Sequence, residues 1–316
     1  MRGKSLTSLR VNTSSLISGV LALLLSGCSL NRVAVNVIGD ALAGGGGVYA
    51  SDDDPDLIRE ALPFGLKTFE SLLEVSPDHR GLLLAASRGF ASYAFLLESA
   101  ASRHDSINSN GSRELRDRIR NLYLRGRDYA LRGLETRHPG LANQLRSNPA
   151  TALAATTKED VPFLYWAGAS LGGAMATSKN DLDLIAELPL CGALVYRALE
   201  LDEHYDLGVA HEFFISFEAS RPGGSIRRAR EHYHRALEIS GGQRASVHLA
   251  LAEAVAVREQ NLSEFRALLA AALAVDPKKN VQLRLANAIA RQRAAWLQGH
   301  IDQLFLEAET QKENQR

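Results

Sequence analysis

The chain has 316 residues, of which 46% are hydrophobic and 23% are charged, and this composition excludes general disorder. Its 36 basic and 36 acidic residues balance, so net charge gives no indication of a nucleic-acid partner. Two cysteines cannot form a disulfide-rich scaffold or a four-cysteine zinc site. Abundant Ala and Leu, with only 6% aromatic residues, favour a helix-rich globular protein.

The N-terminus has the pattern of a bacterial signal peptide. Its first ten residues carry basic and no acidic side chains, namely Arg2, Lys4 and Arg10. An apolar stretch follows, and serines, a threonine and an asparagine dilute it too much for a transmembrane span. It ends in Leu25-Ser26-Gly27-Cys28, which resembles the lipobox of bacterial lipoproteins. We therefore expect lipidation at Cys28 and cleavage before it.

A lipid-anchored Cys28 would hold the mature domain at a membrane surface without spanning it. Ser29 follows the cysteine, which resembles the sorting pattern for the outer membrane, so we expect the periplasmic face of that membrane. Removing the signal peptide leaves a net charge of about −3. It also leaves Cys191 as the free thiol, and its apolar neighbours predict a core residue rather than a catalytic one.

Apolar residues recur at helical spacing along the chain, whereas no stretch alternates long enough for a strand. The first long segment begins with Asp54 as N-cap and Pro55 at the first helical position. It runs to Ser76, and Pro63 is expected to kink or split it. Further helices are expected at residues 79–101, 112–138, 160–177, 182–201, 206–219, 224–239, 244–259, 261–275 and 279–307.

This pattern divides the chain into four expected regions. They are a lipoprotein signal peptide at 1–27, a lipidated segment with a Gly-rich linker at 28–53, a tetratricopeptide-like helical domain at 54–307 and a polar tail at 308–316.

Several predicted helices end in a weak repeat that is typical of tetratricopeptide units. Its anchor positions are separated by 62, 64, 38 and 36 residues, and the last two spacings are near the length of one unit. The anchors are Leu72, Leu134, Ala198, Ala236 and Ala272. The predicted fold is therefore an all-α, tetratricopeptide-like helix-pair superhelix, or α-solenoid.

Aromatic residues concentrate in the helices expected to line the concave side of such a solenoid. One interpretation is that they are ordinary core residues. The other is that some of them line an apolar ligand cavity. The candidates for that cavity are Tyr93, Trp166, Phe213 and Phe217.

A competing hypothesis is hydrolase chemistry, because residues 168–172 match the G-x-S-x-G pattern around Ser170. That motif requires a strand entering a sharp turn, whereas the flanking residues continue a helical pattern. The small residues there are better explained as a close approach of two helices.

Histidine pairs, an acidic run and a glycine run could suggest metal or phosphate chemistry. His232 and His234 point apart on one helix, and His204 and His211 stand about two turns apart, so neither pair chelates a metal. The acidic run at 52–54 is explained as a helix cap with a favourable dipole charge. The glycines at 44–47 lack the Gly-Lys-Ser/Thr sequence of a phosphate loop and indicate a linker. We expect no metal, no cofactor and no enzymatic activity.

The helix at 112–138 has a net charge of about +4 within a mature chain that is net negative. One interpretation is a solvated face with pairs such as Glu114–Arg118. The alternative is a docking stripe for an acidic partner or for lipid head groups.

Motifs spread along residues 48–305 together resemble the T-component lipoproteins that are associated with tripartite ATP-independent periplasmic (TRAP) transporters. They are Ser51–Pro55, Ala61–Lys67, Pro77 with Leu83 and Leu84, Phe90 with Tyr93, Trp166–Ser170, Arg197–Leu201, Arg284–Asn287, and Ala294 with Trp296 and Leu297.

This resemblance implies a periplasmic lipoprotein of tetratricopeptide-like fold. It implies that the protein partners the solute-binding P component of a TRAP transporter and helps to handle a ligand of apolar character. A homo-oligomer is also compatible with the sequence. The alternatives are a general periplasmic scaffold for envelope protein assembly and, remotely, a serine hydrolase that uses Ser170.

Overall fold

The structure is a computed structural model that describes residues 35–42, 44, 46–102 and 110–306. Over these ranges every regular element is a helix, which confirms the all-α prediction. None of the described helices has the length and apolar character needed to cross a bilayer. The signal peptide, Cys28 and the C-terminal tail lie outside the described residues.

The α-helices of the domain follow one another along the described chain. They are α1 (Pro55–Val75), α2 (Arg80–Ala101), α3 (Asn110–Glu135), α4 (Leu141–Ser147), α5 (Pro149–Ala154), α6 (Val161–Thr177), α7 (Leu182–Ala186), α8 (Leu188–Leu201), α9 (Val209–Ser220), α10 (Ile226–Ser240), α11 (Ala245–Leu251), α12 (Leu262–Ala274) and α13 (Arg284–Gly299). Single turns of 3₁₀-helix lie at Lys158–Asp160, Tyr205–Leu207, Val281–Leu283 and Ile301–Gln303.

Local sequence explains how α1 begins. The Asp54 carboxylate accepts hydrogen bonds from the backbone N–H groups of Asp56 and Leu57, both at 3.0 Å. Pro55 occupies the first helical position. A backbone N–H at this position has no partner within the helix, so the proline costs no hydrogen bond. The predicted cap is therefore confirmed.

The prediction that Pro63 could split this helix is wrong, because α1 continues through it. Proline removes one backbone hydrogen bond from the helix. Leu62 and Leu66 are buried on either side of Pro63 and pack into the same apolar cluster. Burial of this continuous face outweighs the lost bond.

Tertiary context moves several other boundaries. The helix expected at 182–201 divides into α7 and α8, with Pro189 in the first turn of α8. Residues 139–160, between two of the predicted helices, contain the short helices α4 and α5. A helix at Gly46–Ala50 stands where the Gly-rich linker is expected, and a π-helical turn at Ala252–Ala256 follows α11.

Helices that follow one another pack side by side in a repeat-like arrangement. Helix α2 packs on α1 and α3, while α6 packs on α2, α3 and α8. Helix α9 packs on α10 and α11, and α12 packs on α11 and α13. Helix α13 also touches α1, and the Arg284 guanidinium donates to the Ser51 carbonyl at 3.2 Å. The end of the described array thus returns to its beginning.

Small residues bring α6 and α8 close together. A Cβ added to Gly168 would lie 2.5 Å from Val195 Cγ2 and 3.0 Å from the Cys191 carbonyl oxygen. Cys191 is fully buried beside it, and its thiol donates to the Gly168 carbonyl at 3.2 Å. The structure therefore confirms both the close helix approach and Cys191 as a core residue.

Candidate functional site

Three of the four predicted cavity residues lie at the junction of two apolar clusters. Trp166, Phe213 and Phe217 are half-buried and pack against both clusters. The Phe213 and Phe217 rings stack with centroids 5.3 Å apart. Phe213 also lies against α6, because a Cβ on Gly172 would be 3.1 Å from its ring. Helices α6 and α9 thus present aromatic side chains at one junction.

The fourth residue, Tyr93, faces α3. Its hydroxyl accepts a hydrogen bond from Arg118 at 3.0 Å, and that guanidinium also lies 5.8 Å from its ring centroid. Arg118 lines an open groove of about 450 Å³ on α3, together with Glu114, Asp117, Asn121, Leu122 and Arg125. A ligand cavity lined by some of the four candidates stays a prediction.

A polar edge borders the aromatic junction. The indole N–H of Trp166 is buried and interacts with the Tyr205 hydroxyl, although not in regular hydrogen-bond geometry. The Arg88 guanidinium lies 6.0 Å from the Trp166 ring centroid, and Arg88 forms no ion pair within the described ranges. Tyr205 lies on the same side. Its ring centroid is 5.9 Å from that of Tyr165, the residue before Trp166. We call Arg88, Trp166 and Tyr205 the Trp166 cluster.

Burial shapes the chemistry of the phenols here. It raises the pKa of Tyr205 to about 12, although nearby Arg88 and the Trp166 indole act in the opposite direction. The Trp166 indole N–H lowers the pKa of the Tyr205 phenol, although the two groups are not in regular hydrogen-bond geometry. Burial also raises the pKa of Tyr165 well above its ordinary value. Both phenols are therefore neutral hydrogen-bonding groups at physiological pH.

A buried arginine supports the loop beside this cluster. Arg244 is only 6% exposed, and its guanidinium lies 3.2 Å from Asp206 and 3.7 Å from the Glu212 carboxylate. Asp206 and Leu207 adopt φ angles of 42° and 56°, in the left-handed region that side chains rarely occupy. Gly208, which continues the left-handed run at φ 79°, is the one residue of this loop whose type indicates such a conformation.

The structure also joins two histidines that sequence reasoning kept apart. Nδ1 of His211 on α9 lies 2.7 Å from Nδ1 of His232 on α10. His211 Nε2 lies 3.0 Å from the Glu203 carboxylate, which Arg235 also binds. Because the Glu203 carboxylate accepts a hydrogen bond from Nε2–H of His211, Nδ1 of His211 is the acceptor and Nδ1–H of His232 is the donor when both rings are neutral. The sequence does not show that these two residues of different helices face each other.

No metal centre accompanies this pair in the part of the chain that the structure describes. No group of three or more His, Cys, Asp or Glu side chains is placed there to hold an ion.

Ser170, the residue behind the hydrolase alternative, lies inside α6 and is completely buried. Its hydroxyl faces α3, where a Cβ on Gly126 would lie 3.1 Å from the oxygen. A nucleophile elbow needs an exposed serine on a strand-to-helix turn. The G-x-S-x-G match is therefore a helix-packing feature.

Three arginines of α3, namely Arg120, Arg125 and Arg127, pair with neighbouring carboxylates. Arg125 pairs with Glu70 of α1, and Arg127 contacts Glu187 at 3.6 Å. The expected Glu114–Arg118 pair does not form, because Arg118 turns toward Tyr93. This arrangement favours the solvated, ion-paired interpretation of the basic helix over a free docking stripe.

The fold and this junction define an all-α, helical-repeat protein whose half-buried aromatic residues border buried charged groups. A family model for the TRAP transporter T-component matches residues 51–305. The chain therefore belongs to the TRAP transporter T-component family, a family of transport accessory proteins. It is also 29% identical over 307 residues to an uncharacterized protein of Treponema pallidum (strain Nichols), covering 90% of this chain and 95% of that relative.

Proposed function

We propose that this protein is a membrane-anchored periplasmic accessory lipoprotein of a TRAP transport system. In this role it binds the solute-binding P component and holds an apolar ligand. The observation that carries the proposal is the family match over residues 51–305, most of the helical domain. Repeat-like helical arrays bury their cores between neighbouring helices and leave extended surfaces for partners.

Anchoring is proposed from the lipobox at residues 25–28. An acylated Cys28 followed by Ser29 would place the domain on the periplasmic face of the outer membrane. Membrane fractionation of Cys28→Ala tests this part, because the variant is expected in the soluble fraction or unprocessed.

Ligand binding is proposed at the junction of α6 and α9. Trp166, Phe213 and Phe217 retain exposed surface there, although their neighbours are fully buried. Half-buried aromatic surface beside a few polar groups is typical of small-molecule sites. Native mass spectrometry of protein purified without detergent is expected to show retained apolar small molecules. Protein that carries none, and takes up none when they are added, would remove this part.

Binding to the solute-binding P component is tested by affinity purification of the lipidated protein from the native envelope. Enrichment of a TRAP solute-binding protein is expected. Enrichment of several unrelated envelope proteins instead would favour the second candidate, a general periplasmic scaffold, which the helical-repeat fold also suits.

A further inference from the structure

Residues 35–42 form a helical segment that packs on the domain through its polar side. The Ser76 hydroxyl donates to the side-chain oxygen of Asn36 at 2.8 Å, and Nε2 of His79 lies 3.2 Å from the Asn36 carbonyl oxygen. Gly39 is buried against the same histidine, because a Cβ there would lie 2.8 Å from Nε2 of His79. The turn between α1 and α2 thus holds one side of this segment.

The other side of the segment is apolar and faces solvent. Val37 is 65% exposed, Ile38 51% and Leu42 40%. Ile38 and Leu42 are one turn apart and share a face, with Val37 beside them. Asp40, the one charged residue between positions 35 and 42, lies 3.5 Å from His79 on the domain side. A surface helix normally turns its apolar stripe to the core and its polar face to water, and this segment does the reverse.

Phe64 of α1 shows how this face differs from an ordinary exposed apolar residue. Its side chain is 82% exposed, but Glu60 and Lys67, one turn away on either side, are exposed and charged. Single apolar side chains among charged ones are normal on a protein surface, whereas a charge-free apolar face marks an interaction site. The face formed by Val37, Ile38 and Leu42 therefore needs an occupant.

The place of the segment in the chain indicates that occupant. Six residues separate Val35 from Cys28, the proposed site of lipidation. Even fully extended, this connection spans no more than about 25 Å. A segment tethered so close to membrane-inserted acyl chains meets the bilayer surface at a high effective concentration, whereas a soluble partner has to be captured from solution.

We propose that residues 35–42 are an interfacial helix that lies on the membrane surface, with Val37, Ile38 and Leu42 among the lipid head groups and the upper acyl chains. This inference rests on the anchoring part of the proposed function, and it adds the surface by which the domain meets the lipid. Eight residues offer little apolar area, so the lipid anchor supplies the affinity and the helix sets the orientation. The turn between α1 and α2 consequently faces the bilayer.

Site-specific fluorescence of the mature, lipidated chain tests the inference. Ile38→Cys is labelled with a polarity-sensitive fluorophore; acylation occupies the Cys28 thiol, and Cys191 is buried. The protein is reconstituted into vesicles of phosphatidylethanolamine and phosphatidylglycerol, with or without lipid that carries a nitroxide high on its acyl chain. The label is expected to show blue-shifted emission and to lose intensity when the nitroxide lipid is present, because an interfacial helix buries its apolar face at this depth.

Two controls separate docking of this face from general closeness to the vesicle. Leu182→Cys places the label on α7, where the native side chain is 78% exposed, and its emission is expected to stay unshifted and unquenched. In a chain labelled through Leu42→Cys, Ile38→Asp is expected to abolish the quenching, whereas Ile38→Leu keeps it. Ile38 is exposed, so neither substitution disturbs the core.

A label at Ile38 that nitroxide lipid does not quench would overturn the inference, whether water or a protein surface surrounds it. Quenching at Leu182 as strong as at Ile38 would also overturn it, because the domain would then have no preferred orientation on the bilayer. Vesicle flotation distinguishes these results from failure of the proposed function. A chain that floats with the vesicles but fails the quenching test keeps its anchor, whereas a chain that is not acylated and does not float loses the anchor and this inference together.

Discussion

Nδ1 of His211 and Nδ1 of His232 lie 2.7 Å apart, so the N–H of one ring donates a hydrogen bond to the nitrogen of the other. This arrangement requires that at least one ring be neutral at Nδ1. Burial lowers the pKa of His232 to about 4, and it also lowers the pKa of His211 despite the opposing Glu203 carboxylate. The hydrogen bond between the two rings joins α9 to α10 when both histidines are uncharged.

The pair therefore predicts a loss of stability on acidification. Unfolded histidines titrate near pH 6.5, above the folded pKa of both rings, so the unfolded state takes up protons first. Their contribution is complete above about pH 6.5 and is lost as the pH falls toward about 4. Urea unfolding of His232→Phe is expected to change less between about pH 7.5 and about pH 5 than unfolding of the parent chain.

The control for this experiment is His234→Gln, which removes an exposed histidine of the same helix. It is expected to keep the parent pH dependence. If His232→Phe loses stability on acidification as steeply as this control, the histidine pair does not link protonation to folding.

Asp160 predicts a second measurable effect, because four groups converge on its buried carboxylate. His138 Nε2 lies 2.8 Å from it, Arg80 Nη2 lies 3.2 Å away, and the Thr157 N–H donates at 3.0 Å. Arg137 approaches it to 3.4 Å. Asp160→Ala is expected to lower the free energy of unfolding by about 3 kcal/mol, because the half-buried Arg80 guanidinium and the Thr157 N–H lose their acceptor.

Glu159 gives the matched control, since it neighbours Asp160 but its side chain is 70% exposed and pairs with Arg137 at 3.4 Å. Glu159→Gln is expected to leave the free energy of unfolding close to that of the parent chain, because an ion pair in water contributes little. Equal effects of the two substitutions in chemical denaturation would contradict the importance of burial at Asp160.

The contact of α6 with α8 predicts that Gly168 tolerates no side chain. The added methyl group of Gly168→Ala would meet Val195 and the Cys191 carbonyl. We expect a loss of about 2 kcal/mol in the free energy of unfolding, the usual effect of overpacking. Gly299→Ala, where no atom lies within 4 Å of the new Cβ, is the control and is expected to be near neutral. A neutral Gly168→Ala would show that the two helices can separate freely.

The Cys191 thiol is predicted to be unreactive in the folded protein. Burial raises its pKa to about 12, and its thiol donates to the Gly168 carbonyl. In a chain carrying Cys28→Ser, thiol reagents are expected to label Cys191 only after denaturation. Rapid labelling of the native chain would contradict its place in the core.

Local chemistry explains why the helices could be predicted from the sequence. The Asp54 cap and Pro55 act within one turn, so the start of α1 follows from neighbouring residues alone. The continuity of α1 through Pro63 depends on burial of Leu62 and Leu66. That burial is a tertiary effect and cannot be read from a local pattern.

The candidate site also has one part that local sequence predicts and another that depends on how the helices pack. Phe213 and Phe217 are one turn apart on a helix, so their common face could be predicted. The approach of Arg88 to Trp166 depends on how α2 sits beside α6. The pairing of Arg244 with Asp206 also depends on a left-handed loop whose conformation has no sequence signature at residues 206 and 207.

The central claim is that this chain is an accessory component that binds a TRAP solute-binding protein. Sedimentation velocity of the purified chain mixed with such a protein from the same organism tests it most directly. The account predicts a faster-sedimenting complex that contains both chains and persists at physiological ionic strength. Independent sedimentation of the two proteins at tens of micromolar, with both shown to be folded, would contradict it.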